Sequence, residues 1–289
     1  MLKTVWLMEK RDISQGTAML LGGFDGLHLG HRFLLSRAKA SGLPVGLMTI
    51  VGGKSDGNLF TFSEREKIFR ENGVDFVFEL PFAEIKDLTP TEFLGVLLRE
   101  FQPKLFVCGE DFRFGARAAG TPETLKAQGQ VGVESYPLVQ YQGEKVSSTA
   151  IKRHLSAGET EKANALLGEE FFLIGEVVRD RQVGRTMGFP TANIVYPKEK
   201  YALKTGVYET RVTLDGKDYK GITNYGARPT FDDRTVVTET YLDGFDGDLY
   251  GCTLCVRFVR FLREIRKYGG AEELKAQLTE DIRRVREND

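Results

Sequence analysis

The chain has 289 residues, 40 basic against 41 acidic for a net charge of −1, and 41% of it is hydrophobic. That length favours two domains and that composition a packed core, while the charge balance argues against broad nucleic-acid binding, which draws on a basic surplus. No run of ~18 apolar residues exists, which excludes a helical membrane span. The 32 glycines, about 11% where ~7% is usual, ask where backbone turns sharply or meets a ligand. Three cysteines, Cys108, Cys252 and Cys255, are too few for a disulfide framework and fit a reducing cytoplasm. The Cys252/Cys255 pair lies in an alternating stretch, 249–258, where residues three apart face opposite ways, so packed thiols are expected, not a metal or redox pair. No pattern in the chain speaks to oligomeric state.

Residues 1–10 read as a first strand, since they carry charges and no small-residue cleavage site. Short apolar runs at 18–21, 45–51, 74–80 and 105–108 then alternate with amphipathic stretches at 32–40, 63–72 and 91–101. Strand and helix in alternation predict crossover units, hence a parallel sheet covered on both faces, with its ligand beyond the carboxyl ends of the strands. Ser63 with Glu66 is expected to form a capping box, and Thr89-Pro90 a helix entry. A helical segment at 150–167 leads to the boundary, placed between 168 and 169. Beyond it, strand-like runs at 171–178, 206–214, 219–224, 236–242 and 253–261, parted by turns such as Asp215-Gly216 and Asp246-Gly247, predict an antiparallel barrel or sandwich. Ala271, Leu274, Leu278, Ile282 and Val285 recur at helical spacing and predict a core-packed terminal helix.

Residues 20–31, Leu-Leu-Gly-Gly-Phe-Asp-Gly-Leu-His-Leu-Gly-His, form a strand ending in a glycine-rich turn that enters a helix. Gly22, Gly23, Gly26 and Gly30 let backbone approach a bulky anion, and a helix N-terminus offers it free N–H groups. His28 and His31 are two of only three histidines in the chain, and an imidazole donates to phosphate without the full desolvation cost of a fixed charge. The turn has neither a Walker Gly-Lys-Ser/Thr nor a GxGxxG spacing.

This turn resembles the HxGH signature of the nucleotidylyltransferase superfamily, and its Phe-Asp-Gly variant resembles bacterial bifunctional FAD synthetases. Further segments resemble that family in order: Cys-Gly-Glu-Asp-Phe-Arg-Phe-Gly at 108–115, Val-Ser-Ser-Thr-Ala-Ile at 146–151, the riboflavin kinase motif Gly-Phe-Pro-Thr-Ala-Asn at 188–193, and Thr-Glu-Thr-Tyr at 238–241 with Gly-Phe-Asp-Gly-Asp-Leu-Tyr-Gly after it. The resemblance implies a Rossmann-like nucleotidylyltransferase domain at 1–168 and a riboflavin kinase-like barrel with a terminal helix at 169–289. It implies that riboflavin is phosphorylated to FMN and FMN adenylylated to FAD, with ATP and Mg2+ in both steps and small molecules as the only partners.

In the first half the resemblance gives His28 and His31 to the triphosphate, with Gly23, Phe24, Asp25 and Gly30 in the same turn, Ser147, Ser148 and Thr149 as donors at a helix start, and Asp111, Arg113 and Lys152 as nucleotide or flavin contacts. In the second it gives Glu239 as the base that takes the riboflavin 5′-hydroxyl proton, and Thr191 and Asn193 to magnesium and phosphate oxygens. A basic flap, 179–188, with Gly184, Arg185 and Gly188 covers the nucleotide, and Asn224, Arg228 and Phe231 belong to a loop near the flavin. Two departures touch the first half. Residues 49–58 lack the family's Thr-Phe-x-Pro-His-Pro, leaving Lys54 to remake the contact, and Lys152 stands where the family has an arginine that grips phosphate as a fork. The alternative they leave open is a riboflavin kinase whose first half binds without turnover. A flavin-sensing regulator without turnover is disfavoured by the intact Glu239 and PTAN segment.

Overall fold

The computed structural model describes residues 3–7, 12–52, 56–179, 189–227 and 236–287. Lys54, Gly184, Arg185, Gly188, Arg228 and Phe231 lie outside these described residues. The chain divides into two units, 1–148 and 149–289.

In the first unit, the sheet has the order β1-β4-β3-β2-β5-β6, from Lys3–Trp6 (β1), Thr17–Leu21 (β2), Val45–Val51 (β3), Phe76–Pro81 (β4), Pro103–Gly109 (β5) and Gly132–Tyr136 (β6). Strands β2 to β6 pair in parallel as predicted, and β1 is an antiparallel edge on β4. The central strand β2 is buried throughout, Ala18 to Leu21 lying at 0–2% exposure, because helices cover both faces of a parallel sheet. The chain builds β3 and β4 on one side of β2 and then crosses to β5, so the topological switch point falls between β2 and β5. Helix Leu29–Ala40 (α1) starts there.

Helices Phe62–Glu71 (α2), Phe82–Ile85 (α3), Pro90–Phe101 (α4) and Pro122–Ala127 (α5) complete the unit, with a two-stranded hairpin of Gln140–Tyr141 (β7) and Glu144–Lys145 (β8). Thr89 caps α4 in a capping box with Glu92, as the Thr-Pro entry predicts. The box on α2 is Thr61 with Glu64, not Ser63 with Glu66. Both pairs have the right spacing; the buried Leu59 and Phe60 fix the entry of the chain two residues earlier.

The second unit begins with Ser148–Ala157 (α6) and Thr160–Leu167 (α7). The single helical segment expected at 150–167 is thus two helices, broken at Gly158, whose φ of +79° suits glycine. Both helices pack on the barrel. Asn164 donates to the Phe258 and Val259 carbonyls and accepts from the Phe171 amide, and the Lys204 amide donates to the Leu155 carbonyl. These bonds put the packing division after Ser148, some twenty residues before the sequence boundary at 168/169.

The barrel strands are Phe171–Glu176 (β9), Thr191–Val195 (β10), Gly206–Leu214 (β11), Lys217–Ala227 (β12), Val236–Leu242 (β13) and Thr253–Arg263 (β14), antiparallel in the order β10-β13-β12-β11-β14-β9. The sheet curls until its edges meet, where Val178 donates to the Asn193 carbonyl just beyond β9. Inside, Thr210, Thr223 and Thr240 link their hydroxyls across three strands at 2.9 and 2.8 Å, and Tyr208 packs edge-on against Phe258 and Phe261. Outside, Ala271–Arg286 (α8) lays Ile282 and Val285 on Val207 and Ile222. Asp281, fully buried in that apolar stripe, takes a fork from Arg263, which satisfies an otherwise costly buried charge. Only the C-terminal half of α8 is buried; Ala271 is exposed, so the predicted core stripe is shorter than the spacing suggested. Cys252 is exposed in the turn before β14 and Cys255 half-buried on it, so only one of the pair packs as predicted, and neither is disulfide-bonded.

Candidate functional site

A cleft is present in each unit among the described residues. In the first it holds about 330 Å3 and opens at the switch point, lined by Gly22, Gly23, His28, Gly30 and His31 after β2, Met48 and Ile50 on β3, Gly109 and Asp111 to Phe114 after β5, Pro137 to Val139 after β6, and Lys145 to Ser147. Of the residues singled out from sequence, Gly23, His28, Gly30, His31, Asp111, Arg113 and Ser147 are brought together here.

Hydrogen bonding fixes the state of the two histidines. His28 is the N-cap of α1, and its Nδ1 accepts the His31 amide at 3.2 Å, so the proton of the neutral ring is on Nε2. His31 Nδ1 lies 2.8 Å from the Gly26 carbonyl, which only accepts, so Nδ1 carries a proton. The rings stack with centroids 3.6 Å apart and 14° between planes. Burial lowers the His28 pKa to about 4, so at neutral pH this imidazole donates without charge. Gly26 has a φ of +133°, and a Cβ there would come within 2.8 Å of Phe60, so the turn that presents both rings requires glycine.

The depressed His28 pKa has a consequence for stability. Unfolded, the group titrates near 6.5; folded, near 4. Between those values the unfolded chain binds more protons, so this contribution is complete above pH 6.5 and is lost as pH falls toward 4. His28→Asn is expected to remove that loss, worth about 3 kcal/mol at full extent. Urea unfolding of both proteins at pH 7 and pH 4.5 checks it: the wild type should lose more stability than the variant on acidification.

Other predicted residues fall elsewhere. Phe24 and Asp25 lie beneath the cleft, not on its wall: Phe24 is fully buried against the His31 ring at 4.4 Å, and Asp25, 1% exposed, accepts the Leu59 amide. Their role in the turn is support. Ser148 and Thr149 begin α6. Lys152 is buried in the second unit with Nζ 5.1 Å from the Tyr201 ring centroid, and it is not a wall of this cleft. Arg113 is exposed and donates to the Glu110 and Phe112 carbonyls. The cation the sequence reading missed is Lys145, which lines the cleft and pairs with Asp111 at 2.9 Å. Its only sequence signal is its place two residues before Ser147.

The second unit's cleft, about 390 Å3, is lined by Val177, Pro190 to Asn193, Leu242 and the 245–250 loop with Asp246 and Asp248. Thr191 and Asn193 meet here. Glu239 is not on its wall, but strand register places it beside them: Asn193 pairs with Glu239, Glu239 with Asn224, and Thr191 with Tyr241. Residues opposite or two apart share a face, so Thr191, Asn193, Glu239, Tyr241 and Asn224 lie on the side of the barrel where α8 packs. Asn224 Oδ1 is buried with no hydrogen-bond partner among the described residues. Among the described residues no group of three His, Cys, Asp or Glu forms a metal cage. Thr191 and Asn193 are hard oxygen donors of the kind that suits a magnesium ion taking most of its ligands from phosphates and water.

A doubly wound α/β unit with a histidine-bearing glycine turn at its switch point, followed by an antiparallel barrel, defines the class: a two-unit protein with a cleft in each unit. A family model described as FAD synthetase matches residues 10–150, and one described as riboflavin kinase matches residues 167–288. The chain is 30% identical to the bifunctional riboflavin kinase/FMN adenylyltransferase of Bacillus subtilis over 92% of this chain and 90% of that protein. It is 32% identical to the Escherichia coli K12 protein of the same description, over 94% and 93%. A solved structure from Streptococcus pneumoniae, described as a macrolide-efflux protein, is 29% identical and superimposes with a TM-score of 0.87 over 95% of both chains. The chain belongs to the bifunctional riboflavin kinase/FMN adenylyltransferase family. No helix among the described residues is long and apolar enough to cross a membrane.

Proposed function

We propose that the chain makes FAD in two ATP-dependent steps, phosphorylating riboflavin to FMN in the second unit and adenylylating FMN in the first. The observation that carries this reading is a cleft in each unit, each inside the span of its own family match.

In the first step the riboflavin 5′-oxygen attacks the γ-phosphorus of ATP, its proton passes to a carboxylate, and ADP leaves. Glu239 is that carboxylate, flanked by Asn193 and Asn224 on the neighbouring strands. The Asn224 oxygen, buried without a donor, is an acceptor for a flavin N–H or hydroxyl, since leaving it unmet costs about 1–3 kcal/mol. Thr191 and Asn193 would hold magnesium, which supplies charge neutralisation on the phosphates when bound.

In the second step an FMN phosphate oxygen attacks the α-phosphorus of ATP, the bond from α-phosphorus to the bridging oxygen breaks, and pyrophosphate leaves. No covalent nucleophile is needed; positioning and charge stabilisation are. His28 Nε2–H, the Leu29 and Gly30 amides at the start of α1 and Lys145 supply donors around the cleft, and His31, whose Nδ1–H is taken by the Gly26 carbonyl, donates from Nε2 as an imidazolium. Lys145 also bears on the kinase-only alternative. The cleft has a cationic donor, Lys145, although Lys152 is not on its wall, and Asp111 matches its charge at 2.9 Å. Three free cysteines and these substrates support a cytoplasmic location.

The test supplies riboflavin, ATP and magnesium to the purified protein and resolves the flavins by chromatography. FAD is the expected end product. A product that stops at FMN, even when FMN is supplied directly, leaves only the kinase; no product leaves only a binding protein.

A further inference from the structure

The first unit's cleft has more apolar wall than its phosphate donors account for. Met48, Phe93, Phe112 and Phe114 are core residues, at most 9% exposed, that reach the cleft from below. A second apolar sector is open to solvent. Phe33 is 39% exposed and Leu138 38%, two of the few large apolar side chains so placed among the described residues, and both line the cleft with Pro137 and Val139.

Phe33 is held in place. Its ring meets Tyr136 edge to face, with centroids 5.2 Å apart and 89° between planes. The Tyr136 hydroxyl donates to Glu134 at 2.5 Å and accepts from Arg37 Nε at 2.6 Å, and the Arg37 guanidinium lies over the tyrosine ring. Arg37 is one turn beyond Phe33 on α1, so the brace ties the β6 edge to the helix that carries His31 and Phe33. A perpendicular neighbour leaves at least one face of Phe33 uncovered by Tyr136. An exposed, pre-oriented aromatic in a cleft is the feature that recognises a planar ring.

We propose that Phe33 is the stacking residue for the purine of ATP in this cleft, an assignment that rests on the adenylyltransferase reading. Its place on α1 favours the purine: Phe33 stands three residues beyond Gly30 on the helix whose start carries the histidines assigned to the triphosphate of the same nucleotide. The other aromatic residues of the wall, Phe93, Phe112 and Phe114, are at most 9% exposed and lie on the core side of the cleft.

The experiment measures FAD formation from supplied FMN for the wild type, Phe33→Ala, Phe33→Leu and Phe33→Trp, with riboflavin phosphorylation by the same preparations as a control on folding. Phe33→Ala and Phe33→Leu are expected to raise the KM for ATP about tenfold with little change in the KM for FMN, and Phe33→Trp to keep the wild-type value. Leucine keeps apolar bulk without a ring, so full rescue by leucine would reduce Phe33 to a packing residue and overturn the proposal. An unchanged ATP KM in the alanine variant, or a rise confined to FMN, overturns it as well. A wild type that converts no FMN brings down the adenylyltransferase reading itself, a result distinct from any of these.

Discussion

Glu239→Gln is expected to lower FMN formation from riboflavin by about 10^2- to 10^4-fold, the usual range for loss of a general base, while FMN supplied directly is still converted to FAD. The substitution is nearly isosteric and falls in β13, which is paired on both sides along its length, so the backbone has no reason to move. What changes is the ability to take a proton: an amide oxygen still accepts a hydrogen bond, but it does not deprotonate an alcohol. The buried threonine hydroxyls lie on the opposite face of the same strands, so the interior of the barrel is untouched. FAD formation in the first unit reports on the integrity of the preparation in the same assay. Survival of both steps would mean that the base is another group, and loss of both would mean that the strand had been disturbed.

The HxGH turn was legible in the sequence because its demands are local. Gly26 needs a positive φ, the helix begins within three residues, and His28 and His31 are brought ring to ring by that helix start alone. The barrel strands other than β10 were legible for a similar reason: alternation and two-residue turns such as Asp215-Gly216 are short-range signals, whereas Thr191–Val195 was not among the runs read as strand. What the sequence could not give is which residues meet across distance. Lys145 reaches the cleft by a hairpin more than a hundred residues beyond the histidines, and Phe33 is marked only by its exposure, which a sequence does not show. Phe24 and Asp25 failed in the opposite direction. They belong to the same motif as the histidines, yet the turn points them into the protein, where Phe24 supports the His31 ring and Asp25 anchors Leu59. Glu239, an ordinary strand glutamate by pattern, becomes notable only once register sets it between two asparagines.

His31→Ala is expected to reduce conversion of FMN to FAD by about 10^2- to 10^3-fold, the scale of removing one donor, here the Nε2–H of the imidazolium, from a preorganised charge-stabilising site, with riboflavin phosphorylation unaffected. The substitution does more than delete an imidazole. His31 holds the Gly26 carbonyl through Nδ1 and stacks at 3.6 Å on His28, so its loss also loosens the turn that presents the other ring. His31→Gln separates the two effects: glutamine restores a donor near the same place but not the stacked ring, and activity between those of alanine and wild type would assign part of the loss to the hydrogen bond. The pH profile separates the histidines from each other. With His28 held neutral by burial down to about pH 4, a rate that changes near the ordinary histidine range must come from a group other than His28. A profile that keeps such a step in His31→Ala would exclude His31 as its source. Equal damage to riboflavin phosphorylation would contradict the assignment of the two steps to separate sites, because the His31 side chain belongs to the first unit's cleft and Glu239 to the second unit's barrel.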